Sequence, residues 1–166
     1  MKTKNNLISH ISLGSGLAVA LAVAAWLPAA ATDKTSTEAN DYTRSVARPY
    51  EQVLAAVKEA AQAQGFRVSN VHDIAASLRK DGIEREPVAT VEVCNSKIAA
   101  QVLKAEPRLA SIMPCRIAVF QQGNETVVSM VRPSSLMTMF PLKPEVKSAA
   151  AQVERSMEAI IDTATR

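Results

Sequence analysis

Two alternating segments joined by a two-residue turn constrain the fold of this chain more than any other feature. Residues Cys115–Gln121 and Thr126–Arg132 both alternate apolar and polar side chains, and Gly123–Asn124 lies between them. Alternation with a period of two predicts β-strands, and a Gly-Asn connection is typical of a tight hairpin. The sequence therefore predicts an antiparallel strand pair within a folded domain.

The register of this hairpin separates a core face from a second, partly apolar face. When Gln122 faces Glu125, one face carries only apolar side chains and is expected to belong to the core. Its side chains are Ile117, Val119, Val128 and Met130. The other face also carries Phe120 and Val127, although a sheet face in contact with water does not need such residues. Its composition indicates a second role, either as a homodimer interface or as the wall of a ligand cavity.

Helical periodicity and capping residues mark the segments around the hairpin. A helical stripe begins at Pro49 and stops at Gly65, and the following Phe66 is placed for the hydrophobic contact of a helix C-terminus. A long amphipathic helix begins at Pro144. Two further helices are predicted, each preceded by a residue whose side chain can accept a hydrogen bond from a backbone N–H of the first helical turn. These capping residues are Asp73 for a short helix, and Asn95 or Ser96 for the helix after the third strand.

The order of these segments predicts the fold class. Strands are expected at Tyr42–Ala47, Phe66–Val71 and Val88–Cys94, and loops at Arg108–Pro114 and Pro133–Leu142. The elements then follow as strand, helix, strand, short helix, strand, helix, hairpin and helix. This order favours an α+β fold, with an antiparallel or mixed sheet of four to five strands and helices packed on one face.

The first 31 residues are predicted to be a secretory signal peptide and not a part of the domain. Two lysines precede an acid-free apolar run from Leu13 to Leu27, and the small residues Ala29–Ala31 follow it. The alternative is an uncleaved membrane anchor, since the apolar segment is long enough to cross a bilayer. Cleavage near Ala31 predicts a periplasmic or secreted protein that no longer contacts the membrane. Residues 32–40 then form a linker, and residues 41–166 form a single domain.

Removal of the signal peptide changes the charge balance that bears on partners. It takes away two of the 19 basic residues and none of the 16 acidic residues. The remaining chain then has 17 basic and 16 acidic residues, and its formal net charge is +1. The sequence pI near 9 therefore carries no argument for binding to nucleic acid or to an anionic membrane surface. Trp26 is lost as well, and the remaining aromatic residues are too few and too scattered to stack on bases. The sequence therefore predicts that this domain does not bind nucleic acid.

Short motifs around the two cysteines resemble a known family. They occur in order and at fitting spacing: Val71–Ile74, Val93–Ser96, Met113–Cys115 and Pro133–Met137. Together they are similar to the family catalogued as domain of unknown function 302, over roughly Asp41 to Arg166. Ser96 departs from the pattern, because the family tends to have proline there. The resemblance implies a compact α+β fold similar to the architecture of the TATA-binding protein, and often a dimer. It implies no activity, because none is firmly assigned to the family.

Cys94 and Cys115 each lie at the end of a predicted strand. Cys94 precedes a predicted helix, and a thiol at a helix N-terminus gains thiolate character. The alternative is that Cys94 is a small buried apolar residue. In an oxidising compartment the two cysteines could form a disulfide, which would close a loop of about 20 residues and contribute roughly 3 kcal/mol. Strand alternation argues against this bond, because Cys115 points to the core with Ile117 while Cys94 shares the polar side with Glu92.

Sulfur-bearing side chains also suggest a soft-metal site, because thiolates and thioethers select Cu(I) and related ions. The candidate ligands are Cys94, Cys115, Met113, Met130, Met137 and Met139, with His72 as the one histidine left after cleavage. Their spacing matches no metal signature, and the sequence has no Cys-x-x-Cys pair. The alternative to a metal site is that these methionines fill the core and that His72 lies at the surface or packs in a loop.

The residues favour a non-catalytic, exported binding module. Its small ligand, soft metal or protein partner is expected to bind near Cys94 and Cys115. Two alternatives stay open at this point. One is a thiol-based redox module that uses both cysteines, and the other is a structural interaction domain that a disulfide stabilises. The sequence assigns no catalytic residue and no cofactor.

Overall fold

A computed structural model describes residues 40–166 of the chain. The predicted signal peptide (1–31) and the predicted linker up to residue 39 lie outside the described residues. Within residues 40–166, no helix is both long and apolar enough to cross a membrane. The elements are β1 (Asp41–Val46), α1 (Tyr50–Ala63), β2 (Arg67–Asp73), α2 (Ile74–Lys80), β3 (Val88–Cys94), α3 (Ser96–Ala105), a 3-10 helix (Pro107–Ile112), β4 (Cys115–Gln122), β5 (Glu125–Val131), α4 (Pro133–Met137) and α5 (Pro144–Ala164).

The strands form one five-stranded sheet in the order β1-β5-β4-β3-β2. Every pair of neighbouring strands is antiparallel. The hairpin has the predicted register, with Gln122 opposite Glu125. Gly123 has a φ of +61°, a conformation that glycine adopts at little cost and that tight hairpin turns need. The predicted α+β class is therefore confirmed, and the sheet is antiparallel throughout.

Two hydrophobic clusters hold the helices against one face of the sheet. In the larger cluster, α1 and α5 cover the face predicted to be core, where Ile117, Val119 and Val128 are fully buried and Met130 is nearly so. A smaller cluster at the end of the sheet joins α3, the 3-10 helix and the first turn of α5. Its buried residues are Val102, Leu109 and Val146. Ile98 of α3 packs against both clusters and so connects them.

The outer face of the sheet is less uniformly apolar. Thr43 and Ser129 lie opposite each other on β1 and β5, and their hydroxyl oxygens are 2.7 Å apart in a hydrogen bond. Val127 is buried on this face, whereas Val131 is exposed. The homodimer predicted from the apolar residues of this face stays a prediction.

The end of α1 confirms the predicted stop at Gly65. Gly65 has a φ of +74°, its N–H donates to the carbonyl of Gln62, and the N–H of Phe66 donates to the carbonyl of Ala61. This pair of hydrogen bonds satisfies carbonyl groups that a helix C-terminus leaves without partners. It also fixes Phe66 in the core, where it is almost fully buried.

Two segments predicted to be loops are helical, and one strand is longer than predicted. The 3-10 helix and α4 both begin at a proline, whose fixed φ suits the first helical position. Each is too short to show a helical period in the sequence. Strand β2 continues to Asp73, so His72 lies within the strand and not after it. Asp73 still caps α2 as predicted, because its carboxylate accepts a hydrogen bond of 2.7 Å from the N–H of Ala76.

A charged cluster fixes α5 to the end of β5. Arg132 donates to the carbonyl of Asp41 at 3.1 Å, to Glu154 at 3.2 Å, and to Glu158. The N–H of Ser134 donates to Glu154 at 2.9 Å. Burial raises the pKa of Glu154, but the hydrogen bonds from Ser134 and Arg132 outweigh it and hold this pKa below its ordinary value. Such partly buried, multiply bonded charges stabilise more than exposed ion pairs do.

The substitution Glu154→Gln is expected to destabilise the domain only above the acid range. Because the pKa of Glu154 is lower in the folded protein, its stabilisation is present above the pKa of an unfolded glutamate and is lost as the pH falls through the folded value. The variant should lose about 1–3 kcal/mol of unfolding free energy at neutral pH. Urea unfolding over a pH series measures the difference.

The matched control is Glu59→Gln, since Glu59 is an exposed glutamate that makes no ion pair within residues 40–166. This substitution should leave the stability nearly unchanged. A Glu154→Gln penalty that stays constant down to the most acid pH would contradict the proposed role of the carboxylate.

Candidate functional site

A cavity of about 310 Å³ lies between the two hydrophobic clusters, where β3 ends and β4 begins. Phe66 and Val93 line it from the larger cluster, and Val102 and Leu109 line it from the smaller one. The remaining wall comes from the 3-10 helix, α4 and α5. Small-molecule sites in proteins are mostly apolar cavities that begin at about this size. The cavity is therefore the candidate functional site.

Four of the predicted site residues line this cavity. Cys94 ends β3, Cys115 begins β4, and Met113 precedes Pro114 in a cis peptide bond between these strands. Met137, the last residue of α4, also lines the cavity. The structure thus brings together both cysteines and two of the methionines that the sequence singled out.

Three further candidates lie elsewhere. His72 is exposed on β2 opposite Thr90, and Met139 is 71% exposed after α4. Met130 is buried in the larger cluster but does not line the cavity. Within residues 40–166, no group of three or more His, Cys, Asp or Glu side chains could hold a metal ion. The seven-residue ligand set is therefore not assembled at one place.

The suggested disulfide between Cys94 and Cys115 is not formed, and both residues are free thiols. The strand register gives the reason. Cys115 lies opposite Val93, and both point to the core, whereas Cys94 is the next residue after Val93 and takes the other direction. The structure therefore has the strand alternation from which the sequence argued against this disulfide.

The thiol of Cys115 behaves as part of the apolar wall. Burial raises the pKa of Cys115 to about 11, and the nearby Cys94 adds to the rise through charge repulsion. At neutral pH this thiol is therefore protonated, and a protonated thiol is neither a good nucleophile nor a ready metal ligand. Its side chain resembles a small hydrophobic group in this environment.

Asn95 fixes the position of Cys94 through two hydrogen bonds. Its side-chain oxygen accepts from the N–H of Ile98 at 3.2 Å and so caps α3, as predicted. Its side-chain nitrogen donates to the carbonyl of Gly65 at 3.3 Å. The start of α3 is thereby tied to the turn after α1, and the cavity wall between Cys94 and Phe66 is held in place.

Among the described residues, only three lining residues other than the cysteines are polar, and two of them already have partners within the protein. Asn95 makes the two hydrogen bonds described above, and the hydroxyl of Ser111 donates to the carbonyl of Arg108 at 2.9 Å. Arg116 is different. Within residues 40–166 the one hydrogen bond of its side chain is a long contact of 3.4 Å from Nε to Glu92.

Arg116 lies at the opening of the cavity. It lines the cavity, yet 56% of its side chain is exposed. Val131, on the adjacent strand β5, also lines the cavity and is 53% exposed. The opening therefore combines one arginine with an apolar residue, and Glu92 is the charged neighbour of that arginine.

The sequence predicts a ligand site near the two cysteines, but it predicts neither the enclosed cavity beneath the short helices nor the part of Arg116. A signal was present, because segments predicted to be loops contain several large apolar residues that a solvated loop does not need. They are Leu109, Ile112, Met113, Leu136 and Met137. All of them line the cavity. Arg116 carried no such signal, since an arginine on the outer face of a strand is ordinary.

Comparisons with known proteins agree with this fold. The family model described as domain of unknown function DUF302 matches residues 42–164. No curated protein matches the chain. Among solved structures, the chain is similar to the crystal structure of an uncharacterized conserved protein DUF302 from Bacillus stearothermophilus. The two share 27% sequence identity with a TM-score of 0.72, and the match covers 78% of this chain and 100% of the other.

The family match begins at the second residue of β1 and ends with α5, so it includes every residue of the cavity wall. The similarity in structure extends over the same architecture, since it covers the whole of the solved chain. The family description names no activity, and the solved protein is itself described as uncharacterized. On the match of its family model, this chain belongs to the DUF302 family.

Proposed function

We propose that this domain is a non-catalytic binding module that holds a small, mainly apolar ligand in the cavity beside Cys94 and Cys115. The cavity of about 310 Å³ carries this proposal. A dry apolar cavity of about 150 Å³ is known to bind benzene, so this one has room for a ligand of roughly twice that size. Burial of such a ligand contributes about 0.8 kcal/mol for each CH₂ group removed from water.

The buried thiol of Cys115 supports binding over redox chemistry that uses both cysteines. A redox module needs a thiolate that attacks a disulfide or an oxidant. The raised pKa of Cys115, caused first by burial, leaves little thiolate on this residue at neutral pH. The two cysteines also point in different directions from their strands, which does not favour a bond between them.

A soft metal is the second candidate, because Cys94, Cys115, Met113 and Met137 line the same cavity. Sulfur ligands of this kind suit Cu(I). The metal would have to displace the proton of Cys115, and the raised pKa of that thiol makes this displacement costly near neutral pH. For this reason we favour an organic ligand. Stoichiometric Cu(I) binding that survives competition with a Cu(I) chelator and is lost in Cys94→Ser would reverse this preference.

Filling the cavity is expected to abolish most ligand binding. Ala99 of α3 lines the cavity, and Ala99→Leu would place a larger apolar side chain in the space of the ligand. Loss of burial for two CH₂ groups of octanol should weaken its binding roughly tenfold or more. Isothermal titration calorimetry with octanol measures the dissociation constant.

The matched control is Ala100→Leu, because Ala100 is the next residue of α3 and is exposed outside the cavity. Alanine and leucine have similar helix propensities, so both variants should fold. The control should bind octanol as the wild type does. If the wild type shows no saturable octanol binding, or if both variants lose it equally, the cavity is not the binding site.

Cys115 is expected to react slowly with iodoacetamide at neutral pH. A pKa raised to about 11 reduces the thiolate fraction to roughly a hundredth of that of an ordinary cysteine. Timed alkylation followed by peptide mapping separates Cys115 from Cys94, and urea-unfolded protein provides the unshifted reference. The rate at Cys115 should continue to rise well above the pH at which the reference levels off. Native Cys115 that reacts at neutral pH as fast as unfolded protein would favour the redox alternative.

A further inference from the structure

We propose that the ligand is an amphipathic carboxylate whose apolar tail fills the cavity and whose anionic group pairs with Arg116 at the opening. This inference rests on the proposed function and adds the chemical class of the ligand. It follows from the distribution of unused hydrogen-bond donors around the cavity and from the charge at its opening.

Arg116 is the charged residue of the cavity lining, and most of its donors have no partner within residues 40–166. The amide of Asn95 uses both its oxygen and its nitrogen within the protein, and the hydroxyl of Ser111 donates to a carbonyl. Arg116 engages only its Nε, at 3.4 Å from Glu92, so its two terminal nitrogens have no partner within the described residues. A guanidinium presents its donors in a fixed fork that fits a carboxylate with two hydrogen bonds.

The position of Arg116 matches the geometry of an amphipathic ligand. Its side chain is 56% exposed, while the cavity behind it is lined mainly by apolar groups such as Val93, Leu109 and Met157. A ligand whose tail lies in the cavity would therefore leave its polar end at the arginine. Its charge would stay in contact with water and would not have to be buried, which avoids the large cost of desolvating an ion.

Glu92 competes with a ligand carboxylate for Arg116. It lies opposite Arg116 on β3 and is the carboxylate that Arg116 contacts in the structure. The contact is long, at 3.4 Å, and the arginine side of the pair is 56% exposed, so the pair stabilises little and a ligand carboxylate can compete with Glu92 for the guanidinium. The negative charge of Glu92 would nevertheless repel the ligand. Removal of either charge is therefore expected to change anion binding, in opposite directions.

The size of the cavity limits the tail to a short or medium chain. A volume of about 310 Å³ is at the lower limit for small-molecule sites, and it is too small to enclose a long acyl chain together with its polar end. Octanoate and octanol are suitable probes, because they share one tail and differ in the charge of the head group.

The test measures octanoate and octanol binding to the wild type and to two charge variants by isothermal titration calorimetry. Arg116→Gln should weaken octanoate binding roughly three- to tenfold, a loss between that of an exposed ion pair and that of a buried charge-assisted hydrogen bond. Glu92→Gln should strengthen octanoate binding roughly two- to fivefold. Octanol binding should change less than about twofold in both variants, since octanol carries no charge.

The matched control is Arg79→Gln, which removes one positive charge from an exposed arginine at the end of α2, outside the cavity lining. It should leave binding of both probes unchanged. If the wild type binds octanol but neither Arg116→Gln nor Glu92→Gln alters octanoate binding, the assignment of the head group is wrong and the proposed function stands. If the wild type binds neither probe, the proposed function fails and this inference fails with it.

Discussion

The burial of one apolar face of the sheet beneath α1 and α5 is the interaction on which the rest of the structure depends. Val91, Ile117 and Val128 lie on that face with no exposed surface, and the charged cluster around Arg132 holds α5 in place above it. Apolar side chains at the end of the sheet must also be buried, and there α3, the 3-10 helix and α4 pack over them. Together with the first turn of α5, these elements form a second hydrophobic cluster, which only Ile98 links to the first among the described residues, and the space between the two clusters is the cavity.

The sequence predicted those parts of the fold in which a pattern directly reports burial or a cap. Strand β3 and the hairpin alternate because one face is core, and Gly65 and Asn95 act at helix ends in the way that their side chains require. The 3-10 helix and α4 were missed because elements of five or six residues show no period. The cavity was missed for a different reason, since its volume depends on how far apart packed elements lie in space, and a single sequence does not contain that distance.

The two cysteines gave the right location and an incomplete account of its chemistry. Their thiols suggested a disulfide, a soft metal or a redox pair. The two side chains leave their strands in different directions and form no disulfide. The raised pKa of Cys115 keeps its thiol protonated, so this residue contributes to the wall as a small apolar group. The charge that distinguishes the site is at its opening, on Arg116, in a residue that no cysteine or methionine pattern indicates. A cavity with an apolar interior and one cation at its entrance is suited to bind a ligand and to orient it.

The most direct test of a ligand in the cavity uses methionines already present in the chain. Met113, Met137 and Met157 line the cavity, whereas Met130 is buried elsewhere and Met139 is 71% exposed outside it. In an NMR titration of methyl-labelled protein with octanol, binding in the cavity predicts saturable chemical-shift changes at Met113, Met137 and Met157, with Met130 and Met139 nearly constant. Shifts confined to Met139, or no saturable change at the three cavity methionines, would contradict it.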